Sequence, residues 1–359
     1  MKEKEMPFPL GKIDDFRVYL PPEDLDEKTA MLQVRQFNDA NRSFAEKFNC
    51  SGKTPRISAS FVYAHPADYR GKPMLHADVS VWRTELQRLK NMHIDTVIFQ
   101  AALWRELNEC FYRSKSYSFM KQYPVAETLL EAAEQEKIRV YLGGYGSVAG
   151  WTEHFSEEEL KEEIAEHRRC FQELKDFPSV AGFYFPCETS YADRRLPEKE
   201  HRMHILYRNF SDMVKSCNPN LKIIISPATM HRPERNPEFI EFWNAILEDT
   251  QIDILMPQDC IGNCCSHLEE IPAQWQAWRK IADENKMKLW SHTELFERRS
   301  FYEPVNLYPA SPRRVAAQLA LTAPYAERHC CWEALHFASA DAGEEGVILE
   351  KYLGSGNIT

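Results

Sequence analysis

Residues 182–188 read Gly182-Phe183-Tyr184-Phe185-Pro186-Cys187-Glu188, an apolar and aromatic run that stops at a carboxylate. About a hundred residues later Lys288-Leu289-Trp290-Ser291-His292-Thr293-Glu294 repeats the pattern. Short runs of this kind read as strands buried on both faces of a parallel sheet. Eight segments share the character: Arg56 to Tyr63, Thr96 to Gln100, Arg139 to Gly143, Val180 to Phe185, Lys222 to Ser226, Ile252 to Pro257, Lys288 to Ser291 and Ala334 to Phe337. Stretches of helical period separate them, the signature of repeated βα units. The prediction is an α/β fold, a (β/α)8 TIM barrel over residues 56–359. No Gly-x-Gly-x-x-Gly or P-loop comes after any of the strands, which argues against an open doubly wound sheet.

The intervening helices have readable starts. Ser156-Glu157-Glu158-Glu159 has the form of a capping box ahead of Leu160, Ile164, Phe171 and Leu174. Ser80 is placed to cap a helix burying Trp82, Leu86 and Leu89, and Pro237 sits where a first helical turn tolerates it. Residues 1–55 precede the first strand and hold a helix from Asp26 to Phe48, expected to pack on the outside of the barrel or to close its bottom.

The formal charge of -10 disfavours nucleic-acid phosphates and anionic membranes as partners and suits a neutral or cationic ligand. No leader-like apolar run succeeds Met1-Lys2-Glu3-Lys4-Glu5-Met6-Pro7, no segment has membrane length, and the ten cysteines are scattered. The expectation is a cytoplasmic protein with reduced thiols. Cys260, Cys264, Cys265 and His267 carry soft donors, but their spacing matches no standard zinc pattern, so neither a metal nor a cofactor is expected.

In such barrels chemistry sits at the C-terminal strand ends. Just beyond the first four strands lie Tyr63 and His65, then Gln100 and Trp104, then Tyr145 and Trp151, then Glu188. Beyond the next three lie His231, Gln258 with Asp259, and finally His292 with Glu294. Two carboxylates facing one pocket are what glycosidic bond cleavage needs. Glu188 and Glu294 are therefore the candidate catalytic pair, and the other ten residues candidate saccharide contacts. Flat rings such as Trp104, Tyr145 and Trp151 match the apolar faces of sugars. Two other readings stay open: a divalent-metal sugar isomerase or lyase using Glu188, Asp259, Glu294 and a histidine, and a saccharide-binding barrel without chemistry.

Four segments carry a likeness to a known family: Ile94 to Gln100, Gly182 to Glu188, Ile252 to Gly262 with its Gln258-Asp259-Cys260-Ile261-Gly262 run, and Trp290 to Phe296. They resemble the bacterial glycosidase-like barrels grouped as domain of unknown function 4434. The resemblance implies a (β/α)8 fold and a role in carbohydrate breakdown. More broadly the chain is similar to retaining glycosidases with an acid/base glutamate after strand four and a nucleophilic glutamate after strand seven. That likeness gives those roles to Glu188 and Glu294, with retention if the two are close. Cys187 departs from it, because asparagine is common there.

Overall fold

The computed structural model describes residues 26–48, 54–63, 74–104, 108–146, 156–191, 197–300 and 307–357. Eight parallel strands close a barrel: β1 (Ala59–Val62), β2 (Thr96–Phe99), β3 (Arg139–Gly143), β4 (Val180–Phe185), β5 (Lys222–Ile225), β6 (Ile254–Leu255), β7 (Lys288–Glu294) and β8 (Arg328–Trp332). Each strand pairs with its sequence neighbour, and β1 pairs with both β2 and β8 to close the ring. Alternate side chains enter the lumen. Ala59, Phe61, Ile98, Tyr141, Tyr184, Ile224, Ile254, Met256, Trp290 and Cys330 fill it as one buried cluster. The opposite faces pack on helices, including α2 (Val79–Asn91), α3 (Val125–Glu136), α4 (Glu157–Leu174), α5 (Pro197–Cys217), α6 (Asn236–Leu247), α7 (Ile271–Glu284) and α8 (Pro312–Thr322).

Seven of the eight expected strands fall on barrel strands. The eighth does not: Ala334–Phe337 is a single helical turn, α9, and the strand is Arg328-His329-Cys330-Cys331-Trp332 just before it. The ladder explains the difference, since Cys330 and Cys331 pair with Ala59 and Ser60 of β1 and no partner is left for the segment beyond. The cap of α2 also differs. Asp78 holds Val81 N at 2.9 Å, while Ser80 Oγ donates to Asp78 Oδ1 at 2.7 Å. Ser156 and Glu159 form the reciprocal capping box of α4, and Pro237 lies in the first turn of α6.

Helix α1 (Glu27–Lys47) is capped by Asp26 and runs along α8. Its buried face is Ala30, Val34, Asn38, Asn41 and Ala45, whereas Leu32 is 52% exposed. Two buried asparagines on an otherwise small apolar stripe must find hydrogen bonds, and they find them in loops at the C-terminal end of the barrel. Among the described residues no helix is long and apolar enough to cross a membrane.

Candidate active site

The side chains of β4 alternate inward through Tyr184, and Glu188 continues that parity just past the strand end, half-buried. Gln258 does the same beyond β6, two residues after the lumen-filling Met256. Its Nε2 donates to Glu188 Oε1 at 2.7 Å and to the Ser226 carbonyl at 3.0 Å. Single parallel bridges link Ser190, Ala228, Gln258 and His292, so the sheet continues as a rigid rim beyond β4, β5 and β6. Beneath Glu188 the Tyr184 phenol is hydrogen bonded to Gln100. Burial, with the Glu188 and Cys187 charges adding to it, holds that phenol well above its ordinary range.

His292 occupies the same mouth. Its ring stacks on Phe61 with centroids 4.6 Å apart and lies 6.4 Å from Trp332. Nδ1 shares a 2.8 Å hydrogen bond with Ser226 Oγ, while Nε2 is buried with no hydrogen-bond partner among the described residues. Burial drives its pKa down to about 3, so the imidazole is neutral near pH 7.

Glu294, the last residue of β7, is enclosed. It is 2% exposed, and its Oε2 accepts from Asn263 N at 2.9 Å. Gly262 makes this possible. A Cβ there would meet the Phe296 carbonyl at 2.1 Å and Glu294 Oε2 at 3.1 Å, so only glycine lets the loop after β6 lie on the end of β7. Two cysteines in that loop, Cys260 (φ 54°) and Cys264 (φ 62°), take left-handed backbone conformations that cost L-residues about 1–2 kcal/mol each.

Asp259 has outward parity and lies in the wall between β7 and α8. Its Oδ1 accepts from Ile261 N (3.3 Å) and Glu294 N (3.4 Å), and its Oδ2 from Gln318 Nε2 of α8 (2.6 Å). Arg314, also on α8 and 4% exposed, donates to the Glu294 and Phe296 carbonyls. Burial raises Glu294 to about 8, with the Asp259 charge adding to it, and burial raises Asp259 to about 6. Arg314 counters both shifts without cancelling them. Near neutrality the two carboxyls hold about one proton between them.

The loop over Glu294 is tied to α1 by a chain of hydrogen bonds. Asn38 Nδ2 donates to the Arg298 carbonyl at 2.8 Å, the Arg298 guanidinium donates twice to Asn263 Oδ1 (2.8 and 2.6 Å), and Asn263 N reaches Glu294. Asn41 Oδ1 accepts from Leu268 N at 2.8 Å, and Phe37 stacks on His267 at 3.9 Å. The helix expected at the outside or bottom of the barrel thus reaches round to brace the working end.

The remaining candidates divide. The half-buried Tyr63 ring lies 6.1 Å from Trp332 at the mouth. Trp104 and Tyr145 sit on the rim between β2 and β3, packed against the layer under the helices, with the Trp104 ring closed on Gly146 and Tyr145 N bonded to His167 Nδ1 at 3.2 Å. His231 is drawn away from the mouth. It stacks on Phe239 of α6 at 3.5 Å, bonds Asn236 Oδ1 through Nε2, and is driven by burial to about 4. His65 and Trp151 lie outside the described residues. Sequence reasoning did not select Tyr184, Ser226, Trp332, Asn263, Arg314 or Gln318. Strand parity was the available signal for Tyr184 and Ser226; Trp332 lies on the strand that the sequence reading displaced, and nothing local marks the residues of α8. Among the described residues no group of three or more His, Cys, Asp or Glu side chains is arranged to hold a metal ion.

Residues 75–342 match the family described as a domain of unknown function, DUF4434. The chain belongs to that family. No curated protein matches it. Among solved structures it is similar to a proposed alpha-L-fucosidase from Bacteroides thetaiotaomicron, at 20% identity and a TM-score of 0.68, over 86% of this chain and 95% of that one. It is also similar to a beta-galactosidase from Marinomonas ef1, at 9% identity and a TM-score of 0.55, over 83% of this chain and 59% of that one. An endo-1,4-beta-D-mannanase from Thermotoga petrophila is similar at 12% identity and a TM-score of 0.51, over 83% and 99%. At such identities the likeness speaks for the barrel fold of this member of the DUF4434 family.

Proposed function

We propose that this protein hydrolyses glycosidic bonds, with Glu188 and Glu294 as its two carboxyl groups. The observation that carries the reading is the pairing of a half-buried carboxylate after β4 with an enclosed carboxyl at the end of β7, on one continuous rim that also holds Gln258 and His292. Glycosidases need one carboxyl charged and one protonated, and unequal environments supply that difference. The half-buried rings of Tyr63 and Trp332 suit the apolar face of a sugar, and His292 Nε2 suits a hydroxyl.

The environments favour a division of labour opposite to the one suggested by the broader likeness. Gln258 donates a hydrogen bond to Glu188 on the open rim, whereas burial, with the Asp259 charge adding to it, keeps the proton on Glu294. Glu294 is then the general acid, and Glu188 the nucleophile or the base that activates water. Aryl glycosides of both anomers test this, with Glu188→Gln and Glu294→Gln assayed beside the wild type. A dinitrophenol leaving group needs no protonation, so Glu294→Gln is expected to retain turnover on dinitrophenyl glycosides and lose it on unactivated ones, while Glu188→Gln loses both. The reverse pattern would restore the roles of the broader likeness. Absence of turnover on every substrate, with binding intact, would favour a saccharide-binding barrel. The anomer of the first-formed product, read by NMR, separates retention from inversion.

A further inference from the structure

Helix α1 precedes the stretch that matches the family, residues 75–342, yet two of its buried asparagines are hydrogen bonded to loops at the working end. They hold different things. Asn41 Oδ1 accepts from Leu268 N at 2.8 Å, in the turn that leads into α7. Asn38 Nδ2 donates to the Arg298 carbonyl at 2.8 Å, and Arg298 donates to Asn263 Oδ1 from two guanidinium nitrogens, at 2.8 and 2.6 Å. Asn263 N is the donor to Glu294 Oε2 at 2.9 Å. On the other side of its amide, Asn38 Oδ1 accepts from the thiol of Cys264, the neighbour of Asn263, at 3.6 Å. Asn38 therefore grips the covering loop both through Arg298 and directly, whereas Asn41 grips a segment outside that path.

The charges around Glu294 come from other elements. Asp259 beyond β6, Arg314 of α8 and Arg298 beyond β7 act on it, and Glu297 and Cys264 act on Arg314 behind it. β8 places the uncharged Trp332 beside Glu294 in the ladder. From α1 the exposed Arg42 lies 3.5 Å from Glu297. Asn38 carries no charge, so its replacement changes the covering of Glu294 and leaves these charged groups in place. Burial has the largest influence on the Glu294 proton, while the Asn263 amide pulls the opposite way with less effect. A loop that lifts off admits water, and the proton then leaves at lower pH.

We propose that Asn38 is a positioning residue for Glu294, acting from a helix outside the barrel to keep the loop after β6 closed over that carboxyl. It touches no reacting atom in this role. The task given to Glu294 rests on the glycosidase reading above; the positioning of it does not.

The test reads the titration of Glu294 without any substrate. Melting temperature is measured from about pH 5 to about pH 9 for the wild type, Asn38→Ala and Asn41→Ala, each beside the same protein carrying Glu294→Gln. Within each pair the difference is the Glu294 contribution, which in the wild type falls with rising pH and levels off at about 8. In Asn38→Ala it is expected to level off about one pH unit earlier. Asn41→Ala, which removes a buried hydrogen bond of the same helix, is expected to melt lower than the wild type and to keep the wild-type levelling point. An unmoved point in Asn38→Ala, or an equal displacement in both variants, overturns the proposal, because α1 then adds stability alone or acts by docking as a whole. A wild-type pair without a pH-dependent difference overturns it as well, since there is then no held proton to lose. Should Asn38→Ala not fold, Asn38→Leu, which nearly keeps the volume and removes both hydrogen bonds, takes its place. An assay of aryl glycosides completes the experiment. A displaced point in a protein that cleaves none of them keeps the positioning and removes the glycosidase, whereas cleavage with an unmoved point keeps the enzyme and removes the role of Asn38.

Discussion

Glu188 and Glu294 end two apolar runs of similar character, and the fold puts them in opposite circumstances. Glu188 stands half-buried on an open rim beside the side-chain amide of Gln258. Glu294 lies beneath a glycine-bearing loop, with its oxygen on a backbone amide, a second carboxyl nearby and a buried arginine behind. A carboxylate at a strand end is a position; its proton affinity belongs to whatever covers it. The covering here comes from the loop after β6 and from α8, and it is braced by α1, remote in sequence from either glutamate.

The largest blow to this contrast should come from Arg314→Met. Removing the buried cation leaves Asp259 and Glu294 facing each other and the two carbonyls without their donor, and a loss of about 3–5 kcal/mol is expected in urea unfolding. A loss under about 1 kcal/mol would mean that Arg314 contributes little to the enclosed side. Next, Gly262→Ala forces the loop off the Phe296 carbonyl and should cost about 1–3 kcal/mol. Because the loop then uncovers Glu294, its proton affinity should fall as well.

Third is Glu294→Gln, whose effect changes with pH. The ordinary carboxyl value is 4.5 and burial lifts Glu294 to about 8, so the unfolded chain releases this proton before the folded one. Its contribution to stability therefore falls as pH rises from about 4.5 to about 8, and the loss is complete above that. The glutamine variant, with nothing to ionise, should gain in melting temperature relative to the wild type between pH 5 and pH 9. Parallel curves would show that Glu294 titrates normally. The buried histidines act at the other end. His292 (about 3), His231 (about 4) and His329 (about 4) stay neutral in the fold against an ordinary 6.5, so the stability they contribute is lost as pH drops below about 6.5.

The smallest stability effect is expected for Glu188→Gln, within about 0.5 kcal/mol, because the residue is half-exposed and the amide keeps the shape. Its effect on turnover should instead be on the order of 10²-fold or more. A large stability change with normal turnover would make Glu188 a structural residue and leave the contrast without a function.

The barrel was legible because seven strands carry apolar or aromatic runs whose alternation is visible without neighbours. β8 was not. Its outward positions hold His329 and Cys331, and its inward positions Arg328, Cys330 and Trp332, a mixture that carries no β-branched signal. With the strand displaced onto Ala334-Leu335-His336-Phe337, Trp332 was hidden inside the preceding helix-to-strand stretch. Asp259 was legible as a carboxylate, and counting parity from Ile254 and Met256 would have turned it toward α8. His231 was not resolvable in this way, since its stacking on Phe239 depends on how α6 docks. Nor did the sequence show what braces Glu294, because Asn38 meets Arg298 across 260 positions of chain.

One consequence concerns where this molecule can be cut. The family match begins at residue 75, after β1 and α1, yet β1 supplies the seam between β2 and β8. A fragment excised at that boundary would present two bare strand edges, Thr96–Phe99 and Arg328–Trp332, each a template for pairing with another chain. Such a fragment should emerge from expression as aggregate rather than as a smaller folded domain. The unit that inheritance has kept recognisable and the unit that can fold alone are different lengths of the same polypeptide.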